Sequence, residues 1–552
     1  MPSAASANNA PCVARPRAAV SGDKARVIVN TPDLPKITRR RKPFASWPAL
    51  VVGAVAALLV FELTPPPGPG LDPDSAAYLG AAEALARGHG LRVPIAEWRA
   101  TDSASTLSHF PPGYSSAIAL PTALGMKSVQ AARLINAVAA FIDIALVVWL
   151  VGRIAVTVAG VAAAAALLVM PALVEVHLSV LSEPLYLACT TCALASMLRL
   201  AESKGKRDRL LWSCAGGIAA AAAVLVRYVG ISVVAAVAVW VIAQPGMRAE
   251  RLRRGVYALS PTLLLLGGWM MYVHLTSGVG AIRTLGAYPG ILETLRTAAS
   301  TFVAWLVPLE SDDVLPGRPV IALVLLAAMV WIVRRGARSA AALARLPATS
   351  TSEQLALIVA ASMLAVSYVL VLVAARLLAD PGIPFDERLL SPLFLLVTII
   401  IAVAASVAWR DSRRTLRVLS AVVFLSWWLA SYRATSDEVS YTLENGHDLT
   451  EIQWRTSPLL AWARANAPRR PLYSNWPSAV YLQLGRASHE LPEQDDAATL
   501  HEFVDTLRAR NGIVVAFDWQ SPDQIGVEAL RKAIGLHLIA RFADGSVFAA
   551  NP

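Results

Sequence analysis

The chain has 552 residues, of which 56% are apolar and only 16% are charged, and its mean hydropathy is +0.53. These values exclude an ordinary soluble enzyme, because soluble domains carry about 25% charged residues. The formal net charge of +11 is spread over short basic clusters between apolar runs, so it does not indicate a face that binds nucleic acid.

Apolar segments recur from Phe44 to Tyr432, and most are long enough to cross a hydrocarbon core of about 30 Å as helices. They predict a mainly α-helical, polytopic membrane protein. A polar leader at residues 1–43 precedes a predicted transmembrane domain at residues 44–432. The eleven predicted spans are 44–63, 131–152, 154–171, 183–200, 211–226, 229–243, 255–276, 318–333, 354–376, 389–409 and 418–432.

The segment 113–125 is apolar but too short to span and is interrupted by proline, so it is predicted to be a helix at the membrane interface. If this helix is not counted as a span, the segments on the same side as the polar leader carry 26 Lys and Arg residues against six Asp and Glu residues. The loops 64–112, 277–317 and 377–388 carry six basic and twelve acidic residues. The expected location is the plasma (inner) membrane, and there the positive-inside rule predicts a cytoplasmic leader and these three loops outside.

An odd number of spans carries the C-terminus across the membrane, so residues 433–552 are predicted to form a small external, or periplasmic, soluble α/β domain. A polar helical stretch at 496–510 agrees with this assignment. Short β-rich runs occur at 471–474, 512–517 and 537–542.

The start of the first external loop is the segment richest in chemistry, with the sequence Leu71-Asp72-Pro73-Asp74-Ser75-Ala76-Ala77-Tyr78. Asp74 or Ser75 is predicted to cap a helix that ends near Arg87 and is stopped by Gly88. Asp74 and Tyr78, four residues apart, then share one face of this helix near the membrane surface.

A carboxylate in that place can act as a general base toward a sugar or lipid hydroxyl. The alternative for Asp74 is an ordinary helix N-cap. Asp72 is the competing carboxylate, and together with Asp74 it is also a candidate for holding a divalent cation through oxygen ligands.

Charged residues at the predicted external ends of spans need a partner, because charge at that depth is costly. Arg227, Arg388 and Arg133 are candidates for binding a donor phosphate, since a guanidinium group matches phosphate oxygens and stabilises a leaving phosphate. The alternatives are snorkelling to the interface or an ion pair, for example of Arg388 with Asp386 or Glu387.

Four other residues are candidates for the same site. Glu183 either binds acceptor hydroxyls or orients an arginine, with a favourable position at a helix start as the alternative. His109, beside Pro111 and Pro112, is a candidate for binding the phosphate of the donor, because a protonated imidazole can donate a hydrogen bond to it. The alternative is an ordinary surface histidine. Tyr114 and Tyr78 are candidate substrate-binding residues.

Several short motifs follow one another along the chain. Besides Asp74, Ser75 and Tyr78, they are His109-Phe110-Pro111-Pro112-Gly113-Tyr114, Ala131 to Asn136, Leu181-Ser182-Glu183-Pro184, Val226-Arg227-Tyr228, Phe385-Asp386-Glu387-Arg388 and Tyr473-Ser474-Asn475-Trp476-Pro477. Their order resembles the GT-C superfamily of membrane glycosyltransferases, and in particular bacterial members of glycosyltransferase family 39, akin to protein O-mannosyltransferases and the lipid A aminoarabinose transferase.

This resemblance implies transfer of a hexosyl or pentosyl group from a polyprenyl-phosphate donor to a lipid, glycan or protein acceptor at the external face. It further implies an inverting mechanism with Asp74 as the base. The alternative function is a multi-span transporter or a flippase for lipid-linked sugars without transferase chemistry. Transporters usually place their sites near the bilayer midplane between internal repeats, whereas the charged candidates here gather at external span ends.

Overall fold

The structure is a computed structural model that describes residues 46–277, 286–288, 290–309, 317–343, 351–380, 382–410, 412–519 and 524–551. The predicted polar leader at residues 1–43 lies outside the described residues. Helices dominate the described residues between 46 and 445. They are α1 (Trp47–Glu62), α2 (Pro73–Ala86), α3 (Gly113–Ala123), α4 (Ser128–Ile154), α5 (Thr157–Leu167), α6 (Pro171–Leu178), α7 (Glu183–Glu202), α8 (Lys206–Val226), α9 (Ile231–Ala243), α10 (Arg248–Ser277), α11 (Ile291–Leu306), α12 (Arg318–Leu343), α13 (Thr351–Leu378), α14 (Glu387–Arg410) and α15 (Arg414–Asn445).

Each of the eleven predicted spans coincides with a helix of the described chain. Eight of these helices are long and apolar enough to cross a membrane. A ninth span is formed if α5 and α6, which are bent by 69° at a short break, are counted as one. The two others, α1 and the segment Tyr228–Ala243 that contains α9, are apolar but shorter. The chain is therefore a multi-pass membrane protein built as a helical bundle.

The last helix corrects the predicted boundary at residues 432 and 433. Helix α15 continues without a break to Asn445, because the polar residues after Tyr432 favour a helix and no glycine interrupts them until Gly446. Gly446 has a φ of 88°, a backbone conformation that ends helices. The C-terminal α/β region consequently begins after Asn445.

The C-terminal region contains a six-stranded sheet and short helices, as the sequence predicts. Its own strands are β4 (Leu472–Ser474), β5 (Ser488–Glu490), β6 (Ile513–Phe517), β7 (Leu536–Phe542) and β8 (Gly545–Ala550). Its helices are α16 (Ile452–Arg455), α17 (Pro458–Asn466), α18 (Pro477–Leu484), α19 (Ala497–Arg510) and α20 (Val527–Lys532). The three predicted β-runs and the predicted helix at 496–510 are therefore present.

The sixth strand comes from the first loop, which the sequence did not predict. Within that loop, β1 (Arg92–Val93) pairs with β3 (Ser105–Thr106), and β2 (Ile95–Ala96) pairs in parallel with β5. The strand order of the large sheet is β2-β5-β4-β6-β8-β7. The first loop and the C-terminal region therefore lie on the same side of the bundle.

Side chains strengthen this attachment of the first loop. Trp98 is buried in the core of the C-terminal region, with its ring centroid 5.6 Å from that of Phe503. Arg99 forms a two-pronged ion pair with Glu502, with both nitrogen–oxygen distances at 2.9 Å. The Nη1 of Arg510 donates to the backbone carbonyl oxygen of Ala100 at 2.5 Å. The C-terminal region thus packs against the loop that carries the candidate carboxylates.

Candidate active site

The first-loop helix α2 begins two or three residues earlier than the sequence predicts, since the predicted cap was Asp74 or Ser75. Its N-cap is Asp72, whose side chain accepts a hydrogen bond from the backbone N–H of Asp74, and Ser75 completes a capping box. Pro73 occupies the first helical position, where a missing N–H costs nothing. Asp74 and Ser75 are therefore first-turn residues, and Gly88, with a φ of 80°, follows the end of the helix as predicted.

Backbone hydrogen bonds fix the chain just before this helix between two other segments. The N–H of Gly70 donates to Leu178 and the N–H of Val180 donates to the carbonyl of Gly70, at 3.0 and 2.8 Å. The N–H of Leu449 donates to the carbonyl of Leu71 at 2.8 Å. This bonding leaves little freedom in the position of Asp72, because the two residues before it are held on both sides.

Arg388, in the first turn of α14, joins three carboxylates. Its Nη2 donates to Asp74 Oδ2 at 2.6 Å and its Nη1 donates to Asp72 Oδ2 at 3.2 Å. Its Nε donates to Oε1 of Glu183, the first residue of α7. The guanidinium group therefore connects the first loop with two helices of the bundle. The alternative partners, Asp386 and Glu387, are not its ion-pair partners.

Glu183 also pairs with the second predicted arginine. Its Oε1 lies 2.5 Å from Arg227 Nη1, which also donates to Ser182 Oγ at 3.1 Å. The hydroxyl groups of Ser182 and Tyr78 are 3.1 Å apart. The Glu183 side chain is only 1% exposed, so this carboxylate is a buried counter-ion for two guanidinium groups. Of its predicted roles, the one that the geometry supports is the orientation of arginines.

The two aspartates differ in their surroundings. Burial and the neighbouring charge of Asp74 raise the pKa of Asp72 to about 6, although Arg388 opposes the shift. Both oxygens of Asp72 are used, one by the helix cap and one by Arg388. Asp74 is 30% exposed, and its Oδ1 makes no hydrogen bond within the described part of the chain. Asp74 is therefore the aspartate with an available oxygen.

The two tyrosines predicted to bind substrate, Tyr78 and Tyr114, are buried. Burial raises the pKa of the Tyr78 hydroxyl, and the charge of Asp74 raises it further. Tyr114 in α3 is fully buried and donates to Asn136 Oδ1 at 2.9 Å, and its ring packs edge-on against that of Tyr78. Both hydroxyl groups thus have partners inside the protein.

The structure does not bring Arg133 and His109 into the charge cluster. Arg133 lies in the second turn of α4, since that helix begins at Ser128. There its Nε donates to Thr64 Oγ1 at 2.7 Å and its Nη2 to the carbonyl of Phe61 at the end of α1. His109 is exposed and packs edge-on against Phe110, whose ring contacts Tyr78.

Sequence reasoning missed the role of Ser182, although it lies in one of the quoted motifs. The hydroxyl of Ser182 connects Tyr78 with Arg227. Its position directly before Glu183 was the available signal. For the candidate divalent cation, the described residues contain no group of three or more His, Cys, Asp or Glu side chains placed to hold a metal ion.

We expect Glu183→Gln to lower the free energy of unfolding by about 3–5 kcal/mol, the usual effect of removing one partner of a buried ion pair. The reason is that Arg227 and Arg388 would then face each other without their shared counter-ion. The measurement is the thermal unfolding midpoint in detergent, with the exposed Glu293→Gln as the matched control. Equal midpoints for the two variants would contradict the role of Glu183.

Comparisons with known proteins agree with this architecture. Residues 109–272 match the family described as dolichyl-phosphate-mannose-protein mannosyltransferase. No curated protein sequence matches the chain significantly.

Solved structures share the fold at low sequence identity. The arabinofuranosyltransferase AftD from mycobacteria aligns over 92% of this chain with 13% identity and a TM-score of 0.53, and the alignment spans 42% of the length of AftD. The oligosaccharyltransferase AglB from Archaeoglobus fulgidus aligns over 86% of this chain and 70% of its own, with 12% identity and a TM-score of 0.50. ArnT from Cupriavidus metallidurans aligns over 92% of this chain and 99% of its own, with 16% identity and a TM-score of 0.47, and the fold assignment does not depend on it.

At these identities the structural likeness establishes the fold alone. Together with the matching segment, it confirms the resemblance stated from the sequence. The chain is a multi-pass membrane protein with the GT-C fold of membrane glycosyltransferases.

Proposed function

We propose that the chain is a glycosyltransferase that moves a sugar from a polyprenyl-phosphate donor to a lipid, glycan or protein acceptor at the external membrane face. The observation that carries this proposal is the meeting of Asp72 and Asp74 with the guanidinium group of Arg388. Such a transfer needs a base for the acceptor and positive charge for the departing phosphate, and both lie here within one cluster. The family matched by residues 109–272 is named for a dolichyl-phosphate-linked donor, which supports this choice of donor.

Asp74 is the proposed general base. Its Oδ1 is available, and its Oδ2 is held by Arg388, so the carboxylate is oriented without being fully occupied. The acceptor oxygen forms a bond to the anomeric carbon while Oδ1 takes the hydroxyl proton. The bond from that carbon to the phosphate oxygen breaks, and the electron pair leaves with the polyprenyl phosphate. A single displacement of this kind inverts the configuration of the anomeric carbon.

Arg388 and Arg227 are the proposed phosphate-binding residues. Three nitrogens of the Arg388 guanidinium group are each paired with a carboxylate, so at Arg388 a donor phosphate would take the place of a carboxylate. Asp72 and Asp74 are 23% and 30% exposed, whereas Glu183 is buried, so the two aspartates are the ones that a phosphate would replace.

The other predicted residues receive supporting roles in this proposal. Glu183, Tyr78 and Tyr114 are buried and have internal partners, so we assign them to holding the site rather than to direct contact with substrate. Arg133 ties the start of α4 to the end of α1. His109 is exposed and close to Tyr78 through Phe110, which leaves it as a candidate contact for the donor headgroup.

We expect donor affinity to increase as the pH falls through about 6, the pKa of Asp72. A phosphodiester brings negative charge toward Asp72 and raises that pKa further, so donor binding is coupled to proton uptake. The affinity is measured as a dissociation constant for a polyprenyl-phosphate sugar at a series of pH values. Asp72→Asn should remove the dependence, and an equal pH slope in both proteins would contradict this coupling.

The localisation belongs to the same proposal, with the N-terminus in the cytoplasm and the C-terminal region outside a plasma (inner) membrane. The supporting observations are the loop charges and the strand β2, which binds the first loop to the C-terminal sheet. An alkaline-phosphatase fusion after Arg455 should be active and a cytoplasmic reporter there silent. The opposite pattern would reverse the orientation.

The alternative function is a flippase or transporter for lipid-linked sugars. Purified protein incubated with labelled polyprenyl-phosphate sugar and a membrane extract as acceptor source distinguishes the two functions. Transfer of the label to a new product supports the transferase. Movement of the intact lipid across liposome bilayers without transfer would refute the transferase and support the flippase.

A further inference from the structure

His447 lies at the junction between the last membrane helix and the C-terminal region. It follows Gly446 at the end of α15, and its backbone N–H donates to Thr450 Oγ1 at 2.9 Å. Its imidazole points toward the segment that precedes the first-loop carboxylates. A Cβ added to Gly70 would lie only 2.7 Å from His447 Nδ1 and 2.6 Å from Ser179 Oγ. The ring therefore fills the space beside a residue two positions before Asp72.

Acidic side chains from several elements surround this histidine. Asp448 Oδ2 lies 3.1 Å from His447 Nδ1, and Glu175 Oε1 from α6 lies 4.0 Å from Nε2. Glu438 from α15 lines the same small cavity, and Glu387 at the start of α14 adds its charge to that of Glu175. The cavity of about 20 Å³ has room for about one water molecule. The close carboxylate of Asp448 and the charges of Glu175 and Glu438 raise the pKa of His447 to about 9, although burial opposes the shift, and this favours the charged imidazolium form at neutral pH.

The backbone at this junction continues into the site. Leu449, two residues after His447, donates its N–H to the carbonyl of Leu71, and Gly70 is bonded to the segment that leads to Glu183. A charged ring held between α6, α15 and Asp448 thus supports one side of the segment that places Asp72 and Asp74.

We propose that His447 is a positioning residue that holds the Gly70–Leu71 segment, and through it the first-loop carboxylates, against the cluster of Arg388. This inference rests on the proposed function in one respect, that Asp74 acts as the base. His447 itself touches neither the acceptor nor the donor. Its loss should therefore lower turnover through misplacement of Asp74, and should leave the donor affinity close to that of the wild type.

The first test is the pH profile of transfer in the full-length protein. Wild-type turnover should decline as the pH rises through about 9, where the imidazolium loses its proton. His447→Gln should lower turnover about tenfold to a hundredfold at neutral pH and remove that alkaline limb, because a misplacement near 1 Å has effects of this size. His447→Lys keeps a cation and should therefore restore much of the turnover. The decline of turnover at alkaline pH should then occur at a higher pH than in the wild type.

Two further variants sharpen this test. Glu438→Gln keeps His447 but removes one of the anions that stabilise its charge, so the alkaline limb should move to lower pH. His537→Gln, an exposed histidine of the same C-terminal region, is the matched control and should behave as the wild type. Wild-type turnover and an unchanged pH profile in His447→Gln would overturn the positioning role.

The second test does not depend on transfer. Backbone amide hydrogen exchange at Gly70, Val180 and Leu449 should be faster in His447→Gln than in the wild type and unchanged in His537→Gln. If the wild type shows no transfer at all, the proposed function fails, yet the exchange result still decides the role of His447. Equal exchange in His447→Gln and the wild type would refute the positioning role whatever the activity.

Discussion

Asp74→Asn is expected to abolish sugar transfer while the protein remains folded. Asn keeps the size of the side chain and an oxygen that can accept from Arg388, but its amide cannot take up the proton of the acceptor hydroxyl. Loss of a general base lowers turnover by about 10²–10⁴-fold. The measurement is the initial rate of transfer at saturating donor, together with the thermal unfolding midpoint in detergent.

Two variants of the same loop serve as controls for Asp74. Asp102→Asn changes an exposed aspartate that pairs with Arg92 at 3.1 Å, and full turnover is expected. Asp72→Asn should be milder than Asp74→Asn, because the N-cap oxygen is retained and Asp72 is not the proposed base. Normal turnover in Asp74→Asn would remove the assignment of the base.

Arg388→Lys is expected to lower transfer strongly, although the positive charge is kept. The guanidinium group uses three nitrogens for three carboxylates, and the same planar fork is proposed to bind phosphate oxygens with two parallel bonds. A lysine ammonium can neither join the three carboxylates in this way nor form two parallel bonds to a phosphate. Arg388→Ala also removes the charge and should lower transfer further. A phosphate contact made before the reaction weakens the apparent donor affinity, whereas one that strengthens as the phosphate leaves lowers turnover.

Arg433→Lys is the matched control for Arg388. Arg433 is exposed on α15 and pairs with Asp437 four residues later, so its replacement should change neither the donor affinity nor the turnover. Arg227→Lys should resemble Arg388→Lys, since Arg227 also lies against Glu183. Wild-type donor affinity and turnover in both lysine variants would contradict the phosphate role.

The sequence predicted the membrane helices and three of the five C-terminal strands, because their signals are local, whereas β5 and β8 were not predicted. Apolar length identifies membrane helices, and β-rich runs identified the strands near residues 471–474, 512–517 and 537–542. The two residues of β2 are too few for any periodic signal, and the partner strand lies almost 400 residues later in the chain. The attachment of the first loop to the sheet could therefore not be read from the sequence.

In the candidate site, too, the contacts between residues far apart in the chain could not be read from the sequence. Charge at the end of an apolar helix requires a partner, and this rule led to Arg227 and Arg388, which the structure joins through Glu183. The suggested partners of Arg388 were its neighbours Asp386 and Glu387, whereas the actual partners include Asp72, which is 316 residues away. The predicted N-cap, Asp74 or Ser75, was wrong, although the preference of Pro73 for the first helical position indicates Asp72 as the cap.

The most direct test of the central claim follows the anomeric carbon of the donor. Purified protein is given a synthetic polyprenyl-phosphate sugar of known anomeric configuration and an acceptor fraction, and the products are examined by mass spectrometry and NMR. The account predicts one polyprenyl phosphate released for each sugar transferred, with the opposite anomeric configuration in the product. Retention of the configuration, or intact donor with no transferred sugar, would contradict it.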